Sequence, residues 1–226
     1  MNRNTWVIYH RRPELKSPVA IAGSPGLRSI GELVIDHLIE KLKPDLFAEL
    51  YSAFFPVVYH TRPPYAPDPR LPGDGGVMVK LGGVGLPRVQ FYSSMSPELI
   101  ITRGYHADFK GQYEVAEKVL DVYEEFGVER MIVIAGYGLR GREVCCAATK
   151  PEIIEEMKER YGVEPDYEGP FYGFSGLVFG LAKPRGIEAL CLFGRTKPEP
   201  EDPQKPDEDA AKTVLRWLTK MLNITP

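Results

Sequence analysis

Residues 130–135 read Arg-Met-Ile-Val-Ile-Ala, and this stretch decides the fold. Its four central residues, 131–134, are all apolar, which is typical of a strand buried on both faces of a parallel sheet. The run ends in a glycine-bearing loop, Gly136-Tyr137-Gly138. We therefore predict that residues 130–135 form a central strand of an α/β sheet.

A strand–turn–helix unit lies upstream of this strand. Val19–Ala22 is apolar and runs into Gly23-Ser24-Pro25-Gly26, after which apolar residues recur at spacings of three and four from Ile30 to Leu42. That spacing is the helix period. The helix is expected to end at Lys43, because the residue before a proline avoids the α region.

The rest of the chain alternates between strand and helix patterns in the same way. Such alternation predicts an α/β fold with a mostly parallel sheet and helices on both faces. Val77–Leu81 and Arg88–Tyr92 flank Gly82–Gly85 and indicate a hairpin. The further predicted strands are Trp6–His10, Leu46–Ser52, Phe55–Val58, Leu99–Thr102, Val144–Ala148 and Ile187–Phe193, and the further helices are Tyr113–Phe126, Pro151–Tyr161, Ser175–Ala182 and an amphipathic helix from Ala210 to Leu222.

The 226 residues are expected to form one α/β domain, residues 1–226. The sequence contains no internal repeat, and no linker divides it into two cores. Residues 62–76 are rich in proline and glycine and are predicted to be a surface excursion. Residues 199–208 are predicted to be a proline-rich loop before the last helix.

Composition excludes several classes of protein. The net charge is −3, and the longest run of basic residues is the pair Arg11–Arg12, which argues against a nucleic-acid partner. No stretch approaches the roughly 18 apolar residues of a membrane span, and no apolar signal core follows the N-terminus. The three cysteines form no disulfide or zinc pattern and are expected to be buried strand thiols. We therefore expect a cytoplasmic protein that contacts no membrane.

Amide side chains are scarce in this sequence. Asn occurs only at positions 2, 4 and 223, and Gln only at 90, 112 and 204, whereas charged residues and proline are plentiful. Thermolabile amides are depleted in hyperthermophile proteins. A thermophilic source is therefore a hypothesis.

Three loops follow predicted strands at the position where open α/β sheets bind ligands. They are Gly23–Gly26, Gly136–Gly138 and Gly194-Arg195-Thr196. The first opens a helix, whose free N–H groups favour a phosphate or carboxylate. Its pattern matches neither the P-loop nor the dinucleotide-binding motif. The alternative is that the glycines serve only to turn the backbone.

The candidates for chemistry in these loops are few. His106 follows Arg103 at the end of a predicted strand, and the nearby Asp108 would orient and charge its imidazole. The alternative is an ordinary surface histidine. Ser175 sits at a helix start, where serine is favoured as a cap. No histidine has metal-ligand spacing, no nucleophile motif occurs, and we predict no catalytic residues and no cofactor.

Two segments are candidates for binding a protein partner. Phe54 and Phe55 lie among aromatic residues next to the proline-rich excursion, where they form an exposed surface or pack under their own loop. The basic loop with Arg140 and Arg142 would bind an acidic group, or is simply solvated.

Taken in order, several of these segments resemble the proteasome assembly chaperone 2 family in its archaeal branch. The resemblance spans about residues 5–222 and depends on order and spacing. The segments that carry it are Ala22–Leu27 with Ile30-Gly31 and Leu38–Leu42, Phe54-Phe55-Pro56, Gly111-Gln112-Tyr113, Arg130–Gly138, Gly173–Leu181 with Ile187–Leu190, and Ala210–Leu215 after the proline-rich stretch.

This resemblance implies a three-layer α/β/α fold like that of nucleoside phosphorylases. It also implies a homo-oligomer and, as a partner, proteasome α-subunits. Some archaeal members are labelled ATP-grasp enzymes, but the sequence lacks the carboxylate cluster for magnesium and the lysines that nucleotide binding needs. Proteasome-binding members often end in a hydrophobic residue, a tyrosine and one more residue. This chain reads Asn223-Ile224-Thr225-Pro226, so tail docking is not expected.

Two functions from different classes follow. The first is a non-enzymatic assembly factor that forms a homo-oligomer and binds another protein. The second is a phosphorylase- or hydrolase-like enzyme, or a sensor, that binds a nucleoside or another anionic small molecule at the strand-end loops.

Overall fold

The computed structural model describes residues 4–55, 77–138, 141–197, 199 and 205–224. Within them the chain forms ten strands and five α-helices. The strands are β1 (Thr5–Tyr9), β2 (Val19–Gly23), β3 (Asp45–Ser52), β4 (Met78–Lys80), β5 (Gly83–Gly85), β6 (Val89–Met95), β7 (Glu98–Arg103), β8 (Arg130–Tyr137), β9 (Val144–Ala148) and β10 (Glu188–Arg195). The helices are α1 (Ile30–Leu42), α2 (Gln112–Glu125), α3 (Pro151–Glu156), α4 (Gly173–Ala182) and α5 (Glu208–Met221).

Eight of these strands form one sheet in the order β1-β3-β6-β7-β2-β8-β10-β9. The four neighbouring strands β7, β2, β8 and β10 pair in parallel, and β1, β3, β6 and β9 join them through antiparallel pairs. Five of the eight strands therefore run in the same direction. The parallel strands are the buried apolar runs, as the pattern at residues 130–135 predicts.

Helices cover the sheet on both faces and give a layered α/β fold. On one face, α2 and α4 pack on each other and on a core that includes Phe47, Phe91 and Val133. On the other face, α1, α3 and α5 enclose a second core that includes Ile21 and Ile134. Alternate residues of the central strands thus enter different cores, because successive side chains of a strand point to opposite faces.

The predicted hairpin between Val77–Leu81 and Arg88–Tyr92 is wrong. Instead, Met78–Lys80 pairs with Gly83–Gly85, and Leu81 and Gly82 form the turn with φ angles of 51° and 78°. Two consecutive positive φ angles make a tight two-residue turn, which brings the chain back earlier than the glycine cluster suggests. Strand β6 pairs with β3 and β7 instead.

Other predicted boundaries can be compared directly. Helices α1, α2 and α5 and strands β8, β9 and β10 lie where the pattern predicts them. The predicted strand Phe55–Val58 begins in a turn at Phe55, and residues 56–58 lie outside the described residues, as does the predicted excursion 62–76. Of the helices in the described ranges, none is both long and apolar enough to cross a membrane.

Candidate functional site

Helix α1 approaches the sheet at the carboxyl ends of β2 and β8 through two glycines. A Cβ atom at Gly31 would lie 2.7 Å from the Ile134 carbonyl oxygen, and one at Gly23 would lie 2.4 Å from the Gly31 carbonyl oxygen. These separations are too short for any side chain. The two glycines therefore allow α1 to lie close to the sheet. This packing explains the glycines without a bound phosphate.

The turn before α1 is held by a residue that the sequence did not single out. Arg28 has a φ of 50° and its side chain reaches across to the segment before α5. Its Nε donates to the Lys205 carbonyl at 2.8 Å and its Nη1 donates to the Lys197 carbonyl at 2.8 Å. Nothing in the local pattern marks Arg28, because these two backbone partners lie about 170 residues away in the chain.

The segment that Arg28 holds also begins α5. The Asp207 Oδ1 atom accepts a hydrogen bond from the Ala210 N–H at 3.0 Å and caps the helix. Burial alone would raise the pKa of Asp207, but hydrogen bonds from Thr196 and Ala210, with the nearby Arg28 guanidinium, hold that pKa below its usual value. The Asp207 carboxylate thus joins the end of β10 to the turn before α1 and to the first turn of α5.

A cavity of about 210 Å³ lies beside this turn, at the carboxyl ends of β2 and β8. Loops from four parts of the chain meet here, at the position that open α/β sheets use for ligands. The lining residues are Ser24, Gly26, Leu27, Gly31, His106, Ile134, Ala135, Gly136, Tyr167, Pro170, Phe171, Tyr172 and Ser175.

Two buried serines lie in the wall of this strand-end cavity. The hydroxyls of Ser24 and Ser175 are 3.1 Å apart and are hydrogen-bonded. The prediction that Ser175 caps its helix is wrong, because α4 begins two residues earlier, at Gly173, after Tyr172. One hydroxyl of the pair donates and the other accepts, so each uses the other to satisfy its hydrogen-bonding capacity.

His106 is the one titratable imidazole in the cavity wall. Burial lowers the pKa of His106 below its ordinary value, so the ring is neutral near pH 7. A paired carboxylate would raise that pKa. The prediction that Asp108 charges His106 is therefore wrong. A neutral imidazole offers one donor and one acceptor to a ligand.

Aromatic residues also line the cavity, namely Tyr167, Phe171 and Tyr172. The rings of Tyr167 and Phe193 stack with centroids 4.3 Å apart, and Phe171 meets Phe193 edge-on at 5.0 Å. Packing on Phe193, behind the lining, holds the Tyr167 and Phe171 side chains in place. The loop that carries Tyr167 and Phe171 precedes α4, and its sequence gave no signal that it would close over the strand ends.

The structure brings together only part of the predicted ligand site. Ser24, Gly26, His106 and Gly136 line the strand-end cavity. Gly23 and Pro25 are buried beside it, with Gly23 packed under α1. Gly138 and Tyr137 also lie outside the lining.

Tyr137 and Arg103 are used elsewhere. The Tyr137 ring is buried, and its hydroxyl donates to the Arg142 carbonyl. The Arg103 guanidinium faces α1, where its Nε is 2.9 Å from Asp36 and its Nη2 is 3.1 Å from Glu32. Both carboxylates compete with any anionic ligand for Arg103, so the ligand role predicted for this side chain has no place in the cavity.

The predicted partner-binding residues also lie in different environments. Phe55 is 4% exposed and packs edge-on against Tyr105 at 5.2 Å, so it is a core residue and not a binding surface. Phe54 packs against Gly111, where a Cβ atom would lie 2.0 Å from the Phe54 ring. Arg142 is exposed and lies 3.3 Å from Asp166. Arg140 lies outside the described residues.

Three exposed aromatic residues lie at positions that the sequence pattern did not identify as a binding surface. Phe109 is 91% exposed, Tyr172 is 79% exposed and Tyr113 is 63% exposed. They lie after β7, before α4 and in the first turn of α2, all at the carboxyl end of the parallel strands. We call these three residues the aromatic rim.

The chemistry available in the strand-end cavity is that of neutral polar and aromatic groups. Its lining, within the described residues, contains no Lys, Arg, Asp or Glu side chain. No group of three or more His, Cys, Asp or Glu residues in the described ranges has a metal-binding arrangement. All three cysteines are buried, as predicted, and burial raises the pKa of Cys146 to about 12, which disfavours the reactive thiolate.

Comparison with known proteins identifies relatives over almost the whole chain. Pyrococcus furiosus PbaB, an archaeal proteasome activator, is 30% identical, with a TM-score of 0.79 over 99% of this chain and 91% of PbaB. PbaA from the same organism, an archaeal homolog of proteasome-assembly chaperone, is 22% identical, with a TM-score of 0.74 over 98% of this chain and 87% of PbaA. The uncharacterized protein MJ1210 of Methanocaldococcus jannaschii is 28% identical over 218 residues, which cover 93% of this chain and 76% of MJ1210. The sequence profile of the PAC2 family matches residues 20–225, and the chain belongs to the PAC2 family.

Proposed function

We propose that this protein is a non-enzymatic factor that binds proteasome α-subunits and acts as a homo-oligomer. The observation that carries the proposal is the 30% identity to PbaB, an archaeal proteasome activator, over 99% of the chain. The neutral strand-end cavity and the two buried serines that satisfy each other add support, because they offer no activated nucleophile.

The aromatic rim is the proposed surface for the proteasome partner. Phe109, Tyr113 and Tyr172 are large and exposed, and aromatic residues are enriched where protein interfaces gain most of their binding energy. The rim joins the N-terminal ends of α2 and α4, which pack on each other and give it a rigid base. Aromatic side chains have only two rotatable bonds, so they lose little conformational entropy on binding.

The hairpin of β4 and β5 is the proposed surface for self-association. Val79, Leu81 and Val84 are 68%, 100% and 73% exposed. The two strands pair only with each other among the described residues, and an isolated two-stranded hairpin is marginally stable in water. A second copy would cover these side chains and stabilise the hairpin.

Size-exclusion chromatography with light scattering tests both surfaces. The protein is run alone and with purified archaeal proteasome α-subunits. We expect a defined oligomer that co-elutes with the α-subunits. The double variant Phe109→Ser/Tyr172→Ser should keep the oligomer and lose co-elution, whereas Val79→Ser/Val84→Ser should reduce the oligomer.

The control variant Trp6→Ser changes an exposed aromatic residue on β1, at the edge of the sheet. It should change neither readout. A monomer that does not co-elute with the α-subunits at any concentration would contradict the proposal. Co-elution that survives both pairs of substitutions would show that other surfaces are used.

A second candidate function is binding of a small molecule in the strand-end cavity. The cavity has neutral donors and acceptors at His106 and Ser24 and aromatic side chains in its lining, which suit an uncharged heteroaromatic ring. Its volume of about 210 Å³ is below the usual range of drug-sized pockets, about 300–1,000 Å³. A nucleoside-phosphorylase-like relationship would place a base here.

Thermal shift with nucleobases, nucleosides and inorganic phosphate separates this candidate from the first. A ligand at a hundred times its dissociation constant adds about 2.7 kcal/mol of stability. If the melting temperature rises with a nucleobase or nucleoside, and the rise is lost in His106→Ala, the small-molecule function is supported. If none of these compounds raises it, that function is excluded and the protein-binding proposal is unaffected.

A further inference from the structure

A second cavity, of about 220 Å³, lies at the opposite end of the parallel strands. Its floor is formed by side chains of β8 and β10, its walls by the segment after α3 and by the C-terminal end of α5. We refer to it as the strand-start cavity. No residue of the strand-end cavity contributes to it.

The floor is a part of the sheet that the helices cover less completely than the rest of the same face. Ile132 and Ile134 of β8 point to the same face, yet Ile132 keeps 7% exposure and Ile134 has none. Leu190 and Leu192 of β10 differ in the same way, with 5% and 0%. The helices therefore seal the second half of these strands and leave a cavity with an apolar floor over the first half.

The wall beside this floor is a π-helical turn, Met157–Tyr161, which continues α3. π-Turns are rare and frequently occur at functional sites. This turn directs Met157 and Tyr161 to the cavity, and Met221 faces them from the end of α5. The interior is thus built of flexible thioether and aliphatic side chains, which adapt to ligands of different shape.

Two arginines lie at the mouth of the cavity. Arg130 and Arg160 both line it, together with one carboxylate, Glu156. Glu156 lies 2.6 Å from Arg160 and 3.6 Å from Arg130. Outside the cavity lining, Glu188 also lies 3.6 Å from Arg130 and is itself held by Lys150 at 2.7 Å. Both distances from Arg130 exceed that of a hydrogen bond, so its guanidinium keeps donors for another acceptor.

From this arrangement we infer that the strand-start cavity binds a small amphipathic carboxylate, with its apolar chain over Ile132 and Leu190 and its carboxylate between Arg130 and Arg160. Arginine recognises a carboxylate through paired N–H donors. A dry apolar cavity of about 150 Å³ is enough to bind benzene. The strand-start cavity therefore has room for an aryl or short alkyl chain and is too small for a folded peptide segment.

Methionine methyl NMR with octanoate as the probe tests the inference. Met157 and Met221 line the cavity, whereas Met78 and Met95 are 51% and 60% exposed and lie outside it. We expect octanoate to shift the Met157 and Met221 methyl signals saturably and to leave Met78 and Met95 unchanged. Acetate lacks the chain and octylamine has the wrong charge, so neither should reproduce the shifts.

Variants at the mouth separate recognition of the carboxylate from simple apolar adsorption. Arg130→Gln and Arg160→Gln should each weaken octanoate binding about tenfold, which corresponds to 1.4 kcal/mol. Both side chains are more than half exposed, so the fold should tolerate the changes. Lys158→Gln, on the same π-turn but outside the cavity lining, should leave the affinity unchanged.

Three results would overturn the inference. One is the absence of saturable shifts at Met157 and Met221 with millimolar octanoate. Another is equal binding of octylamine. The third is an unchanged octanoate affinity in the Arg130→Gln/Arg160→Gln double variant.

Discussion

The hydroxyl oxygens of Ser24 and Ser175 lie 3.1 Å apart in the interior, although 151 residues separate them in the chain. Their hydrogen bond joins the turn after β2 to helix α4 across the strand-end cavity. The two residues are 4% and 6% exposed, so bulk solvent has little access to either hydroxyl.

Ser175→Ala should lower the free energy of unfolding by about 1–2 kcal/mol, because it leaves the Ser24 hydroxyl buried without a partner. Ser24→Ala should have a similar effect. The double variant should cost less than the sum of the two, because no unpaired hydroxyl remains. Urea unfolding of the four proteins gives the coupling energy, and strict additivity would mean that the two hydroxyls do not interact.

Gly31→Ala should destabilise the protein by about 2 kcal/mol or more, because the new methyl group would lie 2.7 Å from the Ile134 carbonyl oxygen. Gly180→Ala is the matched control within helix α4, where a Cβ atom would meet nothing within 4 Å. That control should stabilise the protein by up to about 1 kcal/mol, as alanine is the better helix former. Equal effects at the two positions would contradict the close docking of α1.

Acid should destabilise the protein in part through His106. Burial lowers the pKa of folded His106, so between its ordinary value of about 6.5 and the lower folded value the unfolded chain binds more protons. Stability then rises with pH through that window and is lost as pH falls through it. His106→Asn should remove this part of the pH dependence in urea unfolding, and His37→Asn on α1 should not. An NMR titration in which folded His106 has a pKa at or above 6.5 would refute this prediction.

The melting temperature should exceed the mesophile range of about 45–65 °C. Asn and Gln are each present only three times, and Arg185 bridges Glu117, Asp121 and Glu124 of α2 in one ion-pair network. Such networks stabilise proteins more at high temperature than isolated pairs do. Arg185→Gln should lower the melting temperature by a few degrees, whereas the exposed neighbour Lys183→Gln should not. A wild-type melting temperature near 50 °C would contradict the hypothesis of a thermophilic source.

The local sequence pattern was sufficient to predict elements that are defined by the spacing of their own apolar side chains. The buried run at 131–134, the three- and four-residue spacing of α1 and the amphipathic α5 all appear where they were predicted. The hairpin failed because its turn depends on the backbone of Leu81 and Gly82, and a leucine gives no sign that it will take a positive φ.

The candidate site was less predictable than the fold. Position at a strand end placed Ser24, Gly26, His106 and Gly136 at the cavity, because carboxyl ends of parallel strands share one edge of the sheet. It failed for Arg103, whose long side chain turns to Glu32 and Asp36. It also missed Tyr167 and Phe171, which reach the cavity from a loop without regular structure.

The sequence by itself determined the α/β class, the buried central strands and the membership of residues 20–225 in the PAC2 family. These depend on periodicity and order, which are properties of the chain read along its length. Only the tertiary structure decided which groups meet: Ser24 with Ser175, Arg28 with the carbonyls of Lys197 and Lys205, and the apolar floor with the arginines of the strand-start cavity. Contacts between distant residues depend on how the layers pack, and no local pattern encodes that packing.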